Sequence, residues 1–230
     1  MIFTPAYRLG GGPITPHTYY IPSATAVVKG QVVQFTAGTG IVVYDATDAD
    51  DAIFGIAAED HDGSTAGRES GTELLVYTDP DIVYKCVPKT LSTVDSGDAT
   101  SWVDAEFLGA DDIFNGGKIV IVSTNSISGF NVGDVLDITD FANSGGDFTV
   151  TGAGGTIAPG MTGYVYPGKR AVNCHAFDTI ATTYNNLNMK TTGGETFNIV
   201  DVEWDAVKKE ATIYFVIRLH SWVNDGATIS

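Results

Sequence analysis

The chain has 230 residues, 43% of them hydrophobic and only 17% charged, and its 12 lysines and arginines against 28 aspartates and glutamates give a formal net charge of −16. Only Lys169-Arg170 and Lys208-Lys209 place two bases side by side, so no basic stripe exists to follow a phosphate backbone and direct nucleic-acid binding is not expected. No run of 18 apolar residues is present to cross a bilayer, and the opening MIFTPAYRLGGGPITP lacks the basic start and apolar core of a signal peptide, which predicts a soluble product made in the cytosol.

Residues 1–22 carry Pro5, Pro13, Pro16 and Pro22 together with a triple glycine at 10–12, a composition that resists helix and central strand alike. Ile2, Phe3, Tyr7, Leu9, Tyr19 and Tyr20 make the same segment too apolar for a solvated tail. The segment reads as an extended arm that lies on its own domain or on a neighbouring subunit, and its six apolar side chains are the candidate contact residues.

From residue 23 short β runs follow one another at 26–35, 41–44, 53–58, 73–78 and 82–87, separated by turn-formers such as AGTG and DATDADD, with a polar insert at 59–72 expected as an exposed loop. This predicts a first β-barrel-like domain over 23–92. Residues 93–117 change character: SWVDAEFL, 101–108, suits a short helix capped by Ser101, inside a linker. A second β domain is expected over 118–230, through KIVIV, VGDVLDITDF, DFTVTG, TGYVYP, RAVNCHAF, TFNIVDVEW and ATIYFVIRLHSW. In the last of these Ile213, Phe215, Ile217 and Leu219 alternate with Thr212, Tyr214, Val216, Arg218 and His220, a period of two with apolar character on both faces, which predicts a central strand. With 27 glycines in the chain, the fold class is mainly β: small barrel or sandwich units in tandem behind an extended N-terminal arm.

One phrase recurs. Gly30-Gln31-Val32-Val33-Gln34-Phe35-Thr36 leads to Ile53-Phe54-Gly55-Ile56-Ala57, and Gly133-Asp134-Val135-Leu136-Asp137-Ile138-Thr139 leads to Met161-Thr162-Gly163-Tyr164-Val165. Each copy has a strand entered through glycine and a return strand with its own glycine, which fits two related barrels or the chance likeness of any valine- and glycine-rich β chain.

Signatures of catalysis are sparse. There is no G-x-S-x-G elbow and no H-E-x-x-H pair, and His17, His61, His175 and His220 lie in four different segments, so no catalytic residue is assigned and no enzyme is expected. Gly163 to Lys169 fits G-x-x-x-x-G-K, but Arg170 stands where a phosphate loop needs Ser or Thr, and the stretch reads as strand and turn. Asp45, Asp48, Asp50 and Asp51 crowd one turn, and Glu59, Asp60 and Asp62 flank His61 in another. Calcium takes such oxygens, yet neither loop has the D-x-[DN]-x-[DN]-G spacing, so solvated turns are the expectation and no metal or cofactor is assigned. Cys86 and Cys174 sit in strand-like runs as expected buried free thiols. Trp102, Trp204 and Trp222 suit core packing, with sugar stacking as the alternative.

Lys29-Gly30-Gln31-Val32-Val33, Asp50-Asp51-Ala52-Ile53-Phe54-Gly55-Ile56-Ala57 and Ile82-Val83-Tyr84 together resemble the small β-barrel of tailed-bacteriophage head decoration proteins, also called cement or auxiliary capsid proteins. The resemblance covers about a third of the chain directly. It implies a structural virion protein on the outer capsid surface that binds the major capsid protein, commonly as a homotrimer, and stabilises the head lattice. Under it the arm gains order only on the capsid and the acidic body faces solvent. The alternative reading is a phage surface fibre or adhesin-like β module that binds a host glycan.

Overall fold

The structure, a computed structural model, describes residues 3–21, 25–36, 40–44, 53–63, 73–88, 90–107, 114–142, 144–152, 154–169, 177–179, 187–189 and 197–217. The described residues contain strands and turns and no α-helix. In chain order the strands are β1 (Thr4–Arg8), β2 (His17–Tyr20), β3 (Ala26–Val27), β4 (Val32–Thr36), β5 (Gly40–Val43), β6 (Ile53–Ala57), β7 (His61–Asp62), β8 (Glu73–Tyr77), β9 (Ile82–Cys86) and β10 (Thr90–Thr93). They continue with β11 (Ser96–Gly97), β12 (Ser101–Val103), β13 (Lys118–Ser123), β14 (Val135–Ala142), β15 (Asp147–Thr151), β16 (Thr162–Tyr166), β17 (Phe177–Thr179), β18 (Leu187–Met189), β19 (Phe197–Asp205) and β20 (Glu210–Ile217).

Three sheets carry the fold, with orders β1-β9-β20-β19, β2-β8-β6-β4-β5 and β10-β16-β13-β14-β15-β12-β11, beside the small pairs β3-β7 and β17-β18. Period-two alternation places their inner faces: Ile119 and Ile121 of β13 and Phe148 and Val150 of β15 are buried while their neighbours reach solvent. In the seven-stranded sheet the run 90–97 serves both ends, because β10 pairs with β16 and β11 pairs with β12. The sheet therefore curls into a barrel-like form whose two end strands are successive parts of one run. A buried chain of hydrogen bonds fastens that form: Trp102 Nε1 donates to Ser92 Oγ at 2.9 Å, and Ser92 Oγ donates to Asp104 Oδ2 at 2.7 Å. Phe107, Phe114, Phe141 and Phe148 pack as a cluster in which Phe141 and Phe148 lie 4.6 Å apart.

One core joins this barrel to the four-stranded sheet, whose inner face contributes Ile82, Tyr84, Cys86, Ile213 and Phe215. The five-stranded sheet buries both faces. Val32 and Ile56 enter the shared core, while Val33, Ile41, Leu74 and Val76 form a second cluster. Val33 faces Gly55 and Gln34 faces Ile53, so Phe54 is an extra residue in β6, and this bulge turns it into the second cluster although Ile56 points the other way.

The recurring phrase builds one turn twice. In residues 28–31 Gln31 N donates to Val28 O at 3.0 Å, Gly30 has φ +85°, and Val28 N donates to Gln31 Oε1 at 2.7 Å. In residues 131–134 Asp134 N donates to Asn131 O at 3.0 Å, Gly133 has φ +87°, and Asn131 N donates to Asp134 Oδ2 at 2.7 Å. Each is a type II turn that needs its glycine. The partner strand is also equivalent, for Gly30 N donates to Ala57 O as Gly133 N donates to Ile121 O, both at 2.8 Å. The likeness ends there, since β6 follows β4 in the chain whereas β13 precedes β14, and β16 pairs with β13 and β10.

Several expectations change, the first in the insert at 59–72, where His61 and Asp62 form β7 against β3 and His61 is buried, so this part is not exposed loop. The helix over 101–108 is replaced by β12, because Trp102 must point inward to reach Ser92 and Asp104 must turn back, where its Oδ2 accepts Thr93 N at 3.0 Å. The expected boundaries at 22, 93 and 117 are crossed by the sheets: the arm supplies β1 and β2, the expected linker supplies β11 and β12, and β20 from the C-terminal region pairs with β9 from the first domain. β20 lies between β9 and β19, interior to its sheet as its two apolar faces predict.

Candidate functional site

The arm is already part of the fold. β1 pairs along β9, with Thr4 opposite Lys85 and Arg8 opposite Ile82, and β2 pairs along β8, with His17 opposite Val76 and Tyr20 opposite Glu73. Each is the outermost strand of its sheet. Pro5 is tolerated in β1 because an edge strand has one side without ladder partners. Arg8 Nη2 holds Asp79 Oδ2 at 2.5 Å, and Leu9 N donates to Asp81 O at 3.0 Å.

The candidate arm residues divide into two groups. Phe3 is 4% exposed, its ring edge-on to Phe215 at 5.0 Å and its N–H donating to Gly30 O at 3.0 Å. Tyr19 packs edge-on against Phe54 at 4.7 Å, with its hydroxyl 3.1 Å from Thr78 Oγ1. Those two hold the arm down. Tyr7, Leu9 and Tyr20 are 46%, 58% and 58% exposed and face outward. Ile2 lies outside the described residues. The expectation that the arm orders only on a partner is thus corrected, because buried Phe3 and Ile21 and two ladders of backbone hydrogen bonds order it within the chain.

Beside β1 the outer face of the four-stranded sheet forms an open cleft of about 390 Å³ lined by Tyr7, Lys85, Asp201, Glu203 and Tyr214. Strand register creates it: Thr4, Lys85, Tyr214 and Asp201 are successive cross-strand partners on β1, β9, β20 and β19. Tyr214 OH donates to Glu203 Oε2 at 3.1 Å, and partial burial, with the negative charge of Glu203, raises the phenol above its ordinary pKa. Asp201 Oδ1 accepts the N–H of Val202 at 2.8 Å, and the rings of Tyr7 and Tyr214 are 6.4 Å apart. Of this constellation the sequence marks only Tyr7 as a contact residue, Tyr214 being read as strand alone. The available signal was the outward set of the alternation in TFNIVDVEW and ATIYFVIRL, but nothing in it says that β20 and β19 sit two and three strands from β1.

The acidic residues around His61 are spent on backbone donors: Glu59 Oε1 accepts Leu75 N at 3.1 Å and Asp60 Oδ1 accepts Lys29 N at 2.7 Å. Among the described residues no group of three or more His, Cys, Asp or Glu side chains is placed to hold a metal ion. Asp45, Asp48, Asp50 and Asp51, Cys174, His175, His220 and Trp222 lie outside the described residues. Cys86 is a free, buried thiol whose pKa burial pushes far up, which keeps it protonated and inert. Gly163 lies in β16, packed so closely that a Cβ there would stand 2.6 Å from Ile119 Cγ2, so the phosphate-loop lookalike is core strand followed by a turn. Trp102 is fully buried, and Trp204 packs edge-on to Tyr166 at 5.8 Å. No family model, no curated protein and no solved structure matches the chain.

Proposed function

We propose that this protein is a head decoration protein of a tailed phage, which binds the outer surface of the capsid and reinforces its lattice. The observation that carries the reading is the placement of the N-terminal segment: it forms the outer strand of two different sheets and leaves Leu9 and Tyr20 exposed beside them. A strand edge offers backbone donors and acceptors to a neighbour's strand, and the exposed apolar side chains add the specificity of such pairing. The words that resemble the decoration family support the same reading, for Lys29 to Val33 form the first glycine turn and the start of β4, and Ile53 to Ala57 form β6. The net charge of −16 suits a body that stays dispersed in solvent. A homotrimer over junctions between major capsid protein subunits is the assembly the resemblance implies.

Deleting residues 1–22 would be a poor test, because it removes two strands together with buried Phe3 and Ile21. The double variant Leu9→Ser/Tyr20→Ser changes only exposed side chains. Co-sedimentation with undecorated phage capsids is expected to show saturable, near-stoichiometric binding of the unmodified protein and binding at least tenfold weaker for the variant. Absence of binding by the unmodified protein overturns the assignment, and unchanged binding by the variant removes the arm from it.

A further inference from the structure

We propose that the cleft on the outer face of the four-stranded sheet is a saccharide-binding site. Its groups come from four strands and are set by register, so they hold a fixed geometry on a rigid scaffold. Tyr7 offers an exposed ring face, and its tilt of 38° to the ring of Tyr214 opens a shallow trough between them. Lys85 and Asp201 flank that trough, and among the described residues neither makes an ion pair. Glu203 completes the rim, with one oxygen accepting from Tyr214.

The mixture of groups selects the ligand class. A cationic peptide would meet the Lys85 ammonium, and a phosphate or carboxylate would meet both Asp201 and Glu203. A neutral sugar satisfies the whole set, because its hydroxyls donate to carboxylates and accept from an ammonium, while its C–H face stacks on an aromatic ring. The cleft of about 390 Å³ is large enough for one or two sugar rings, and its openness lets a longer chain run through. Such a shallow site binds weakly once and usefully when many copies are displayed together.

The test is an array of neutral hexose and N-acetylhexosamine oligosaccharides probed with the full-length protein displayed multivalently on streptavidin, beside a lysine-rich peptide on the same surface. At least one oligosaccharide should bind saturably, with the signal falling tenfold or more in Tyr7→Ala and in Asp201→Asn and persisting in Val207→Ser. Asp201→Asn keeps an oxygen for the Val202 N–H, so its loss of binding reports the site and not the fold. No bound oligosaccharide, binding indifferent to Asp201→Asn, or Asp201-dependent capture of the lysine-rich peptide in place of a sugar each overturns the proposal. The capsid reading is tested apart from these outcomes, through Leu9 and Tyr20, neither of which lines the cleft.

Discussion

The turn at 28–31 and the turn at 131–134 are the same local object placed in different surroundings. Both have a glycine near φ +86°, both cap the turn with the side chain of the last residue, and both pair with a strand in the same register, Val32 opposite Ile56 and Val135 opposite Val120. What differs is who occupies the glycine carbonyl. Gly30 O receives the backbone N–H of Phe3, a residue anchored in the core, whereas Gly133 O receives the ammonium of Lys209 at 2.5 Å from the exposed β19–β20 hairpin. Local chemistry therefore explains the repeated wording, while the order of the partner strands shows that the repeated unit is a turn with its neighbour strand and not a whole domain.

If the first turn is anchored through the core and the second through the surface, the largest effect belongs to Phe3. Phe3→Ala should lower the unfolding free energy by about 3–5 kcal/mol, the range for truncating a buried phenylalanine, and chemical denaturation will read it directly. A loss under about 1 kcal/mol would mean that the arm is not held as described. Next come Gly30→Ala and Gly133→Ala, each forcing a side chain into the left-handed region at a cost of about 1–2 kcal/mol. The two costs should agree within about 0.5 kcal/mol, and a larger gap would break the equivalence of the turns.

The strands were legible where alternation was long enough. β13, β14, β15 and β20 lie in the runs KIVIV, VGDVLDITDF, DFTVTG and ATIYFVIRLHSW, and the apolar character of both faces of β20 marked it as interior. β12 was not legible, because three residues carry no period and Ser101 followed by WVDAEFL imitates a capped helix. Long-range partnership was hidden as well: Ile213 lies opposite Cys86, and no local pattern encodes a contact between segments so distant in sequence. For the same reason the apolar residues of the arm could be named as a group, but their division into anchors, Phe3 and Tyr19, and outward residues, Tyr7, Leu9 and Tyr20, required the sheets. The cleft was invisible because its residues meet only through register.

Lys209 sharpens the surface side of the comparison. Its φ is +56°, in a hairpin position where glycine is ordinarily preferred, and the same residue reaches Gly133 O. Lys209→Gly relieves the backbone and Lys209→Ala does not, so the glycine variant should be the more stable of the two by about 1 kcal/mol. Lys209→Ala should also fall below the unmodified protein by about 0.5–1 kcal/mol for the lost hydrogen bond. Equality of the alanine variant with the parent would show that the second turn stands without its surface anchor.

The smallest effect is a pH dependence that separates the turn between β11 and β12 from the hairpin beside the second glycine turn. Asp98 Oδ1 accepts Thr100 N at 2.7 Å, Thr100 Oγ1 at 3.1 Å and Ser101 N at 2.9 Å, and these bonds hold its carboxyl below the ordinary carboxylate range. Asp205 is lowered in the same way by the N–H groups of Lys208 and Val207. A carboxyl lowered on folding binds fewer protons in the native than in the unfolded state, so its contribution is complete above the unfolded value of about 3.9 and disappears as pH falls through the native value. The melting temperature of Asp98→Ala should thus lie below that of the parent at pH 6 and converge on it as the pH falls below about 4. Asp205→Ala should follow the same curve with a smaller gap, because it fixes a hairpin tip while Asp98 fixes the turn between two strands of the barrel, β11 and β12. A gap at Asp98 that persists undiminished at low pH would assign its effect to the geometry of the turn and not to the charge of the carboxylate.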